Sequence, residues 1–175
     1  MAIDHVKSLA ITNLDASPVV PVTAGEGTGA TLNAVSSGDV IGVASSSIAA
    51  TYQFVRVASN CKIKSLLFSS EAQAAGTVNL GLYYATDGLG GKPTALLLAN
   101  TINATLFASA IAVTSAVTQQ EVLANAFTPL MRNQPLWQAA GLASDPGGEF
   151  DIVGTLAAAL TTGTGKMGLT AYYTT

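Results

Sequence analysis

A single cysteine among 175 residues excludes an internal disulfide and a multi-cysteine metal site, and a chain this long buries an adequate core without either. Seven Lys and Arg against ten Asp and Glu leave a formal net charge of −3; charged residues make up 10% of the chain, where soluble domains usually carry about a quarter. Basic residues so few and scattered argue against nucleic acid as a direct partner.

Ser, Thr, Asn and Gln must therefore supply most of the polar surface. A hydroxyl that finds a partner loses far less on leaving water than an ion does, so such a surface is easily covered by other protein. Between Pro93 and Met131 the sole charged side chain is Glu121. The stretch from Pro93 to Val117 has the length of a membrane span, but Asn100, Asn103, Thr105, Ser109 and Thr114 interrupt it and no basic cluster flanks it. Strands and loops are expected there. The opening Met1-Ala2-Ile3-Asp4-His5-Val6-Lys7 carries an early acid and no apolar run of signal-peptide length, so no membrane association is expected.

In chain order, residues 1–47 read as an extended N-terminal arm. Asn13-Leu14-Asp15, Ser17-Pro18 and Pro21 interrupt regular structure, and Gly25-Glu26-Gly27-Thr28-Gly29 is a flexible run. The short apolar pieces Leu9 to Thr12, Val19 to Val22 and Val40 to Val43 would form edge strands or lie across a neighbour. The composition shifts just after Ser47, and residues 48–175 read as one β-sandwich or jelly-roll domain. Ala50 to Val57 and Cys61 to Ser69 are rich in Val, Ile, Phe and Tyr, with a turn at Ala58-Ser59-Asn60. Period-two alternation marks three half-buried strands. Val78, Leu80, Leu82 and Tyr84 form one face of the first. Phe150, Ile152 and Leu156 oppose Asp151, Val153 and Thr155 in the second. Met167, Leu169, Ala171 and Tyr173 oppose Lys166, Gly168, Thr170 and Tyr172 in the third. Turns at Asp87 to Gly91, Asp145 to Gly148 and Thr162 to Gly165 separate the strands. One short helix is expected at Pro135 to Ala140, capped by Asn133 or Gln134 and ended by Gly141, with Trp137 covering one end of the core. Ala104 to Ala110 would also allow a helical turn.

Chemistry-bearing patterns are sparse. Gly163-Thr164-Gly165-Lys166-Met167-Gly168 matches G-x-G-x-x-G, but a strand rather than a helix follows it and Leu160 and Met167 break a phosphate loop; it reads as a hairpin turn. Gly88 to Lys92, followed by Pro93, reads as a loop. His5 is the sole histidine, near a ragged terminus, so neither a positioned base for a nucleophile nor a multi-histidine metal site is expected. Cys61 reads as a small buried hydrophobe. Asp145, Glu149 and Asp151 form the local carboxylate cluster, with Glu149 and Asp151 on one strand face; a structural role is expected, with weak calcium binding the competing reading. Arg56, Lys62 and Lys64 fall on successive strands and would give a small positive patch, solvated or paired across subunits. Asn103-Ala104-Thr105 is a chance glycosylation sequon. No catalytic residue, cofactor or metal is assigned.

The run Ile11-Thr12-Asn13-Leu14-Asp15-Ala16-Ser17-Pro18 with Gly25-Glu26-Gly27 resembles the start of a family of small proteins of tailed phages and prophages. The block from Tyr52 through Arg56, Ile63, Leu80-Gly81-Leu82-Tyr83 and Asp87-Gly88 is similar as well. So is the block Leu136-Trp137, Gly141-Leu142, Asp145-Pro146-Gly147-Gly148 and Phe150-Asp151-Ile152. Together they resemble head decoration, or cement, proteins over most of the chain; Asp39 to Ser47 and Ala108 to Thr118 match nothing in that family. The resemblance implies a β-sandwich on the outer surface of the head shell that clamps neighbouring subunits of the major capsid protein.

The expectation is thus a non-enzymatic virion structural protein, assembled in the host cytoplasm, that decorates and stabilises a bacteriophage capsid. Its expected partners are the major capsid protein and its own copies, as a dimer or trimer, with segment 1–47 reaching across a neighbour. The alternatives are a tail- or fibre-associated adaptor, a carbohydrate-binding β-sandwich on the virion surface, and a hydrolase built on Asp145, Glu149 and Asp151.

Overall fold

A computed structural model describes residues 5–7, 11–12, 15, 32–85, 100–123, 127–161 and 164–175. Its strands, in chain order, are β1 (His5–Lys7), β2 (Asn33–Ser36), β3 (Val40–Ile41), β4 (Thr51–Ala58), β5 (Lys62–Ser70), β6 (Thr77–Tyr84), β7 (Thr101–Ala112), β8 (Val117–Glu121), β9 (Glu149–Ala158) and β10 (Lys166–Thr174). They form two sheets. Sheet A runs β1-β4-β9-β6-β7, and sheet B runs β2-β10-β5-β8 with β3 also on β10. Pairing is antiparallel except where β1 joins β4 in parallel, His5 opposite Thr51. This is the expected all-β sandwich.

The links β3–β4, β4–β5, β5–β6, β7–β8, β8–β9 and β9–β10 each pass from one sheet to the other. The expected hairpin at Thr162 to Gly165 is therefore a crossover: β9 belongs to sheet A and β10 to sheet B, and residues 162 and 163 lie outside the described residues. The Gly88 to Lys92 loop and the Gly25 to Gly29 run also lie outside them. The described residues of segment 1–47 contribute to both sheets, through β1 on β4 and through β2 and β3 on β10.

Alternation builds sheet B as the sequence suggests. Met167, Leu169 and Ala171 of β10 are buried, while Lys166, Gly168 and Thr170 between them are not. Phe68 of β5 meets Phe54 of β4 edge-on across the sandwich, ring centroids 6.0 Å apart, which seals the two sheets together. Sheet A departs from the expectation of half-buried strands. Every residue of β4 from Thr51 to Val57 and of β9 from Phe150 to Thr155 is buried, so both faces of these central strands are covered.

The short helix, α1 (Leu136–Ala139), lies within its expected span, but Pro135 occupies the cap position in place of Asn133 or Gln134, and no side chain caps it. Docking compensates: Leu136 N donates to Cys61 O at 2.7 Å and Trp137 N to Ser59 O at 3.1 Å, so the β4–β5 turn satisfies two of the helix's free N–H groups. Leu136 is fully buried and Trp137 packs half-buried at the margin of the core. Gly141, at φ +80°, ends the helix.

No helical turn forms at Ala104 to Ala110, which is β7. This strand is bulged: Thr77 to Tyr83 of β6 face the longer run Thr101 to Ala112, with register shifts at three points. Gly81 explains how the excess is housed. A Cβ on Gly81 would lie 2.5 Å from the main chain of Ala104, so the bulge folds back over the outer face of sheet A where a side chain is missing. Gly81→Ala is expected to cost about 2–3 kcal/mol, because backbone must shift. Gly38→Ala, at φ +65° in open space, is expected to cost about 1 kcal/mol. Urea midpoints of the two variants check this; equal losses would remove the close approach at Gly81 from the account.

Candidate functional site

The three acids singled out in the sequence do not converge. Asp145 Oδ1 accepts the Gly147 N–H at 2.9 Å and so closes its own turn. Glu149 is exposed at the start of β9, whereas Asp151, two residues on, is wholly buried. Among the described residues, no group of three or more His, Cys, Asp and Glu is placed to hold a metal ion.

Asp151 instead belongs to an ion network on the outer face of sheet A. The β4–β9 register sets Arg56 directly opposite Asp151. Arg56 Nε lies 2.6 Å from Asp151 Oδ1 and Nη2 lies 3.0 Å from Oδ2, a bidentate pair, while Gln53 Nε2 donates to Oδ2 at 2.8 Å. The third arm of the guanidinium, Nη1, reaches Asp15 Oδ1 at 2.9 Å, and Lys7 Nζ reaches Asp15 Oδ2 at 2.8 Å. The side chains are 3% exposed at Arg56, 0% at Asp151, 13% at Asp15 and 24% at Lys7, so exposure rises outward along the chain of charges. Beside the network, Tyr83 and Thr155 share a hydrogen bond of 2.8 Å between their hydroxyls, and Tyr83 packs on Val153.

Electrostatics follow from this geometry. Burial raises the Asp151 carboxyl above the ordinary range, against the pull of Arg56 and Gln53. Burial opposes ionisation of Asp15 too, but hydrogen bonds from Lys7 and Arg56 outweigh it and hold that carboxyl below its usual value. Burial works against the charge on Arg56, and its two carboxylate partners more than restore it.

The expected patch of Arg56, Lys62 and Lys64 does not form. β4 and β5 are consecutive but lie in opposite sheets, and Arg56 is spent inside sheet A. Lys64 Nζ donates to Arg132 O at 2.9 Å and to Asn133 Oδ1 at 3.0 Å, tying β5 to the 3₁₀ turn Met131–Asn133. Cys61 is buried and its thiol is pushed up to about 12, which leaves an inert hydrophobe. The main chain of His5 is paired in β1 rather than ragged.

Among the described residues, the two sheets end at one side of the sandwich in β7 and β8. Between these edges runs a groove of about 510 Å³, with Phe107, Ile111 and Val122 among its lining residues and Ala108, Ala110 and Gln120 beside them. Ala110 and Gln119 adopt left-handed backbone at φ 52° and 45°. Such conformations cost a residue with a Cβ roughly 1–2 kcal/mol. Asn79 Oδ1 accepts the Ala110 N–H at 2.8 Å and Ser69 Oγ accepts the Gln119 N–H at 3.0 Å, so each strained residue is held from the neighbouring inner strand. Sequence patterning gives no direct signal for these bulges, although Gly81 inside a strand is the usual mark of one.

The class of the molecule is a two-sheet, all-β sandwich whose chain crosses repeatedly between sheets. No protein-family model and no curated protein matches its sequence. Among solved structures it is similar to one described as the capsid asymmetric unit of cyanophage Pam1, at 14% identity and a TM-score of 0.48, with 91% of this chain and 95% of that chain covered.

Removing one member of the buried pair leaves the other stranded. Arg56→Met is expected to destabilise the fold by about 3–5 kcal/mol, and Arg56→Met combined with Asp151→Leu to recover most of that loss. Chemical denaturation of the three proteins checks it; a double variant as weak as the single would mean that packing, not the stranded carboxylate, sets the loss. Asp15 gives the pH dependence. Its folded pKa lies below the unfolded value of about 3.9, so its stabilisation is present above that pH and is lost as pH falls through the depressed value. Wild-type and Asp15→Asn stabilities should therefore differ at neutral pH and converge once the pH has fallen through the depressed folded value. Parallel curves down to the lowest pH would exclude Asp15 as the source.

Proposed function

We propose that this chain is a virion structural protein that decorates and stabilises a tailed-phage capsid by binding across subunits of the major capsid protein. The observation that supports this reading is where the few charges go. Of a charge content of 10%, Lys7, Asp15, Arg56 and Asp151 are drawn into one internal network, so the surface carries even fewer ions than the sequence suggests. A surface of hydroxyls, amides and methyls loses little on being covered by protein. The large hydrophobic side chains most exposed among the described residues, Leu32, Ile41, Val43, Ile48 and Leu130, are all aliphatic, which suits protein contact better than sugar stacking.

In this reading the protein acts by mass action. It binds assembled shell in preference to free subunits, and each bound copy adds its free energy to the shell. An interface of roughly 1,600 Å² repeated by symmetry suffices without any single strong site. Segment 1–47 makes the reach to a neighbouring subunit, with β1, β2 and β3 as its anchors in the sandwich. The protein is non-enzymatic, and it sits on the outer surface of the head.

The test is to add purified protein to empty shells of the phage's major capsid protein. Saturable binding with a copy number set by the capsid lattice is expected, together with a raised temperature of shell rupture and no binding to free capsid subunits. Shells that take up no protein would overturn the reading. So would particle reconstructions that place it only at the tail, an outcome that would favour an adaptor role.

A further inference from the structure

Gln73, in the loop between β5 and β6, is 1% exposed, and neither Nε2 nor Oε1 of its amide has a hydrogen-bond partner among the described residues. The main chain around it is pinned. Gln73 N donates to Val113 O at 2.7 Å, Glu71 N to Lys166 O at 2.8 Å, and Glu71 Oε2 accepts the Lys166 N–H at 2.9 Å. The loop is thus tied to the end of β7 and to the start of β10, so the unanswered amide is not the by-product of a loose backbone. Leaving both a donor and an acceptor buried and unpaired opposes folding, and native structures do so rarely, often where a group serves something other than stability.

Gly165 explains how the amide is housed. A Cβ on Gly165 would lie 2.7 Å from Gln73 Nε2 and 3.2 Å from its Cδ, so the amide fills the space that a side chain at position 165 would take. Beside this slot opens a groove of about 460 Å³, lined by Gln73 and Glu71 with Ala72, Ala74, Thr114 and Thr164. Ala72 and Ala74, on either side of Gln73, are exposed and end in methyl groups. Turned inward, the amide fills its slot but is unpaired. Turned into the groove, it is paired but leaves the slot empty. These two costs oppose each other, which is what a two-state element requires.

We propose that Gln73 turns out of the Gly165 slot into this groove to receive a main-chain peptide group of a capsid subunit. The chemistry of the amide selects the occupant. Nε2 needs an acceptor and Oε1 a donor, and a peptide group offers C=O and N–H together, whereas a carboxylate or a cation answers one of the two. No aromatic ring lines the groove among the described residues, so a sugar finds no platform there. Water also answers an outward amide, but it does nothing for the emptied slot. A partner that covers the groove adds contacts of its own and shifts the balance outward. The inference rests on the proposed function and deepens it by naming one point of contact.

Two substitutions in the full chain, read by urea midpoint and by affinity for empty shells of the major capsid protein, test it. Gln73→Met fills the slot without an amide. It should raise the midpoint of the free protein and weaken shell binding about tenfold, the opposed changes of a residue kept for contact at the expense of stability. Gly165→Ala places a Cβ against the free end of the Gln73 side chain and drives the amide into the groove, so this variant should bind shells at least as tightly as the wild type. Circular dichroism verifies folding, and Gln73→Leu decides if Gln73→Met does not fold. A midpoint that fails to rise, a Gln73 variant that binds shells as the wild type does, or a Gly165→Ala protein that binds more weakly overturns the proposal. A wild type that ignores shells refutes the capsid reading itself, whereas a wild type and a Gln73→Met protein that bind shells alike refute this contact alone.

Discussion

Arg56 lies on the outer face of sheet A, shielded from water, and its surroundings are arranged so that its charge is answered. Asp151 meets two of its nitrogens and Asp15 the third. A buried guanidinium is not in itself a source of stability, because the desolvation of the pair offsets much of its attraction. Its value here is geometric. A slip of β4 against β9 by one residue would turn Arg56 into the space between the sheets, toward the rings of Phe54 and Phe68, and would leave Asp151 stranded. The pair thus penalises a slip of register in β4, a strand buried on both faces. Asp15 extends the constraint to the N-terminal part of the chain, which is fixed to sheet A by the same guanidinium and by the parallel pairing of β1 with β4.

The network also shapes the outside of the molecule. A chain with this few ions that spends four of them internally cannot use surface charge to manage its sheet edges. On the β7 and β8 side, backbone geometry takes over that task. Asn79 and Ser69 each give a side-chain oxygen to a main-chain N–H of a bulge, so uncharged polar residues on inner strands hold the outer strands out of regular pairing. Gly81 makes the larger bulge sterically feasible by leaving room for Ala104. Backbone shape and uncharged side chains thereby hinder strand addition, which leaves the surface open to protein contact of another kind.

Much of the sandwich was legible because sheet B obeys the simplest rule. One face of β10 meets the core and the other meets water, so Met167, Leu169 and Ala171 stand out from Lys166 and Thr170. Sheet A was harder to read, because its outer face is covered too. There Thr51, Gln53, Arg56, Asp151 and Thr155 are polar and buried, and polarity in a strand is ordinarily the sign of exposure. The signal that could have exposed this was a lone arginine inside an apolar strand matched by a lone aspartate inside another. The topology stayed hidden for a different reason. Short turns between successive strands suggest hairpins, whereas here the chain steps from sheet to sheet at almost every link, and turn residues are the same in both cases. The bulge at Ala104 was hidden by composition, since a run of alanines favours helix locally and only pairing with β6 fixes it as strand.

These features bear on one another through the cost of burying charge. A protein meant to be covered on several sides gains from a surface that is cheap to dehydrate, but a fold built only of apolar and hydroxyl groups specifies its register weakly. Concentrating the ions in one internal network resolves that conflict. Specificity is written where water does not reach, in the bidentate contact of Arg56 with Asp151, and the outer surface is left with fewer of the groups whose desolvation would oppose contact. Glu121, at the end of β8, lines the β7–β8 groove, and its carboxylate is held by hydrogen bonds from Ser65 Oγ and the main-chain N–H groups of Leu66 and Leu123.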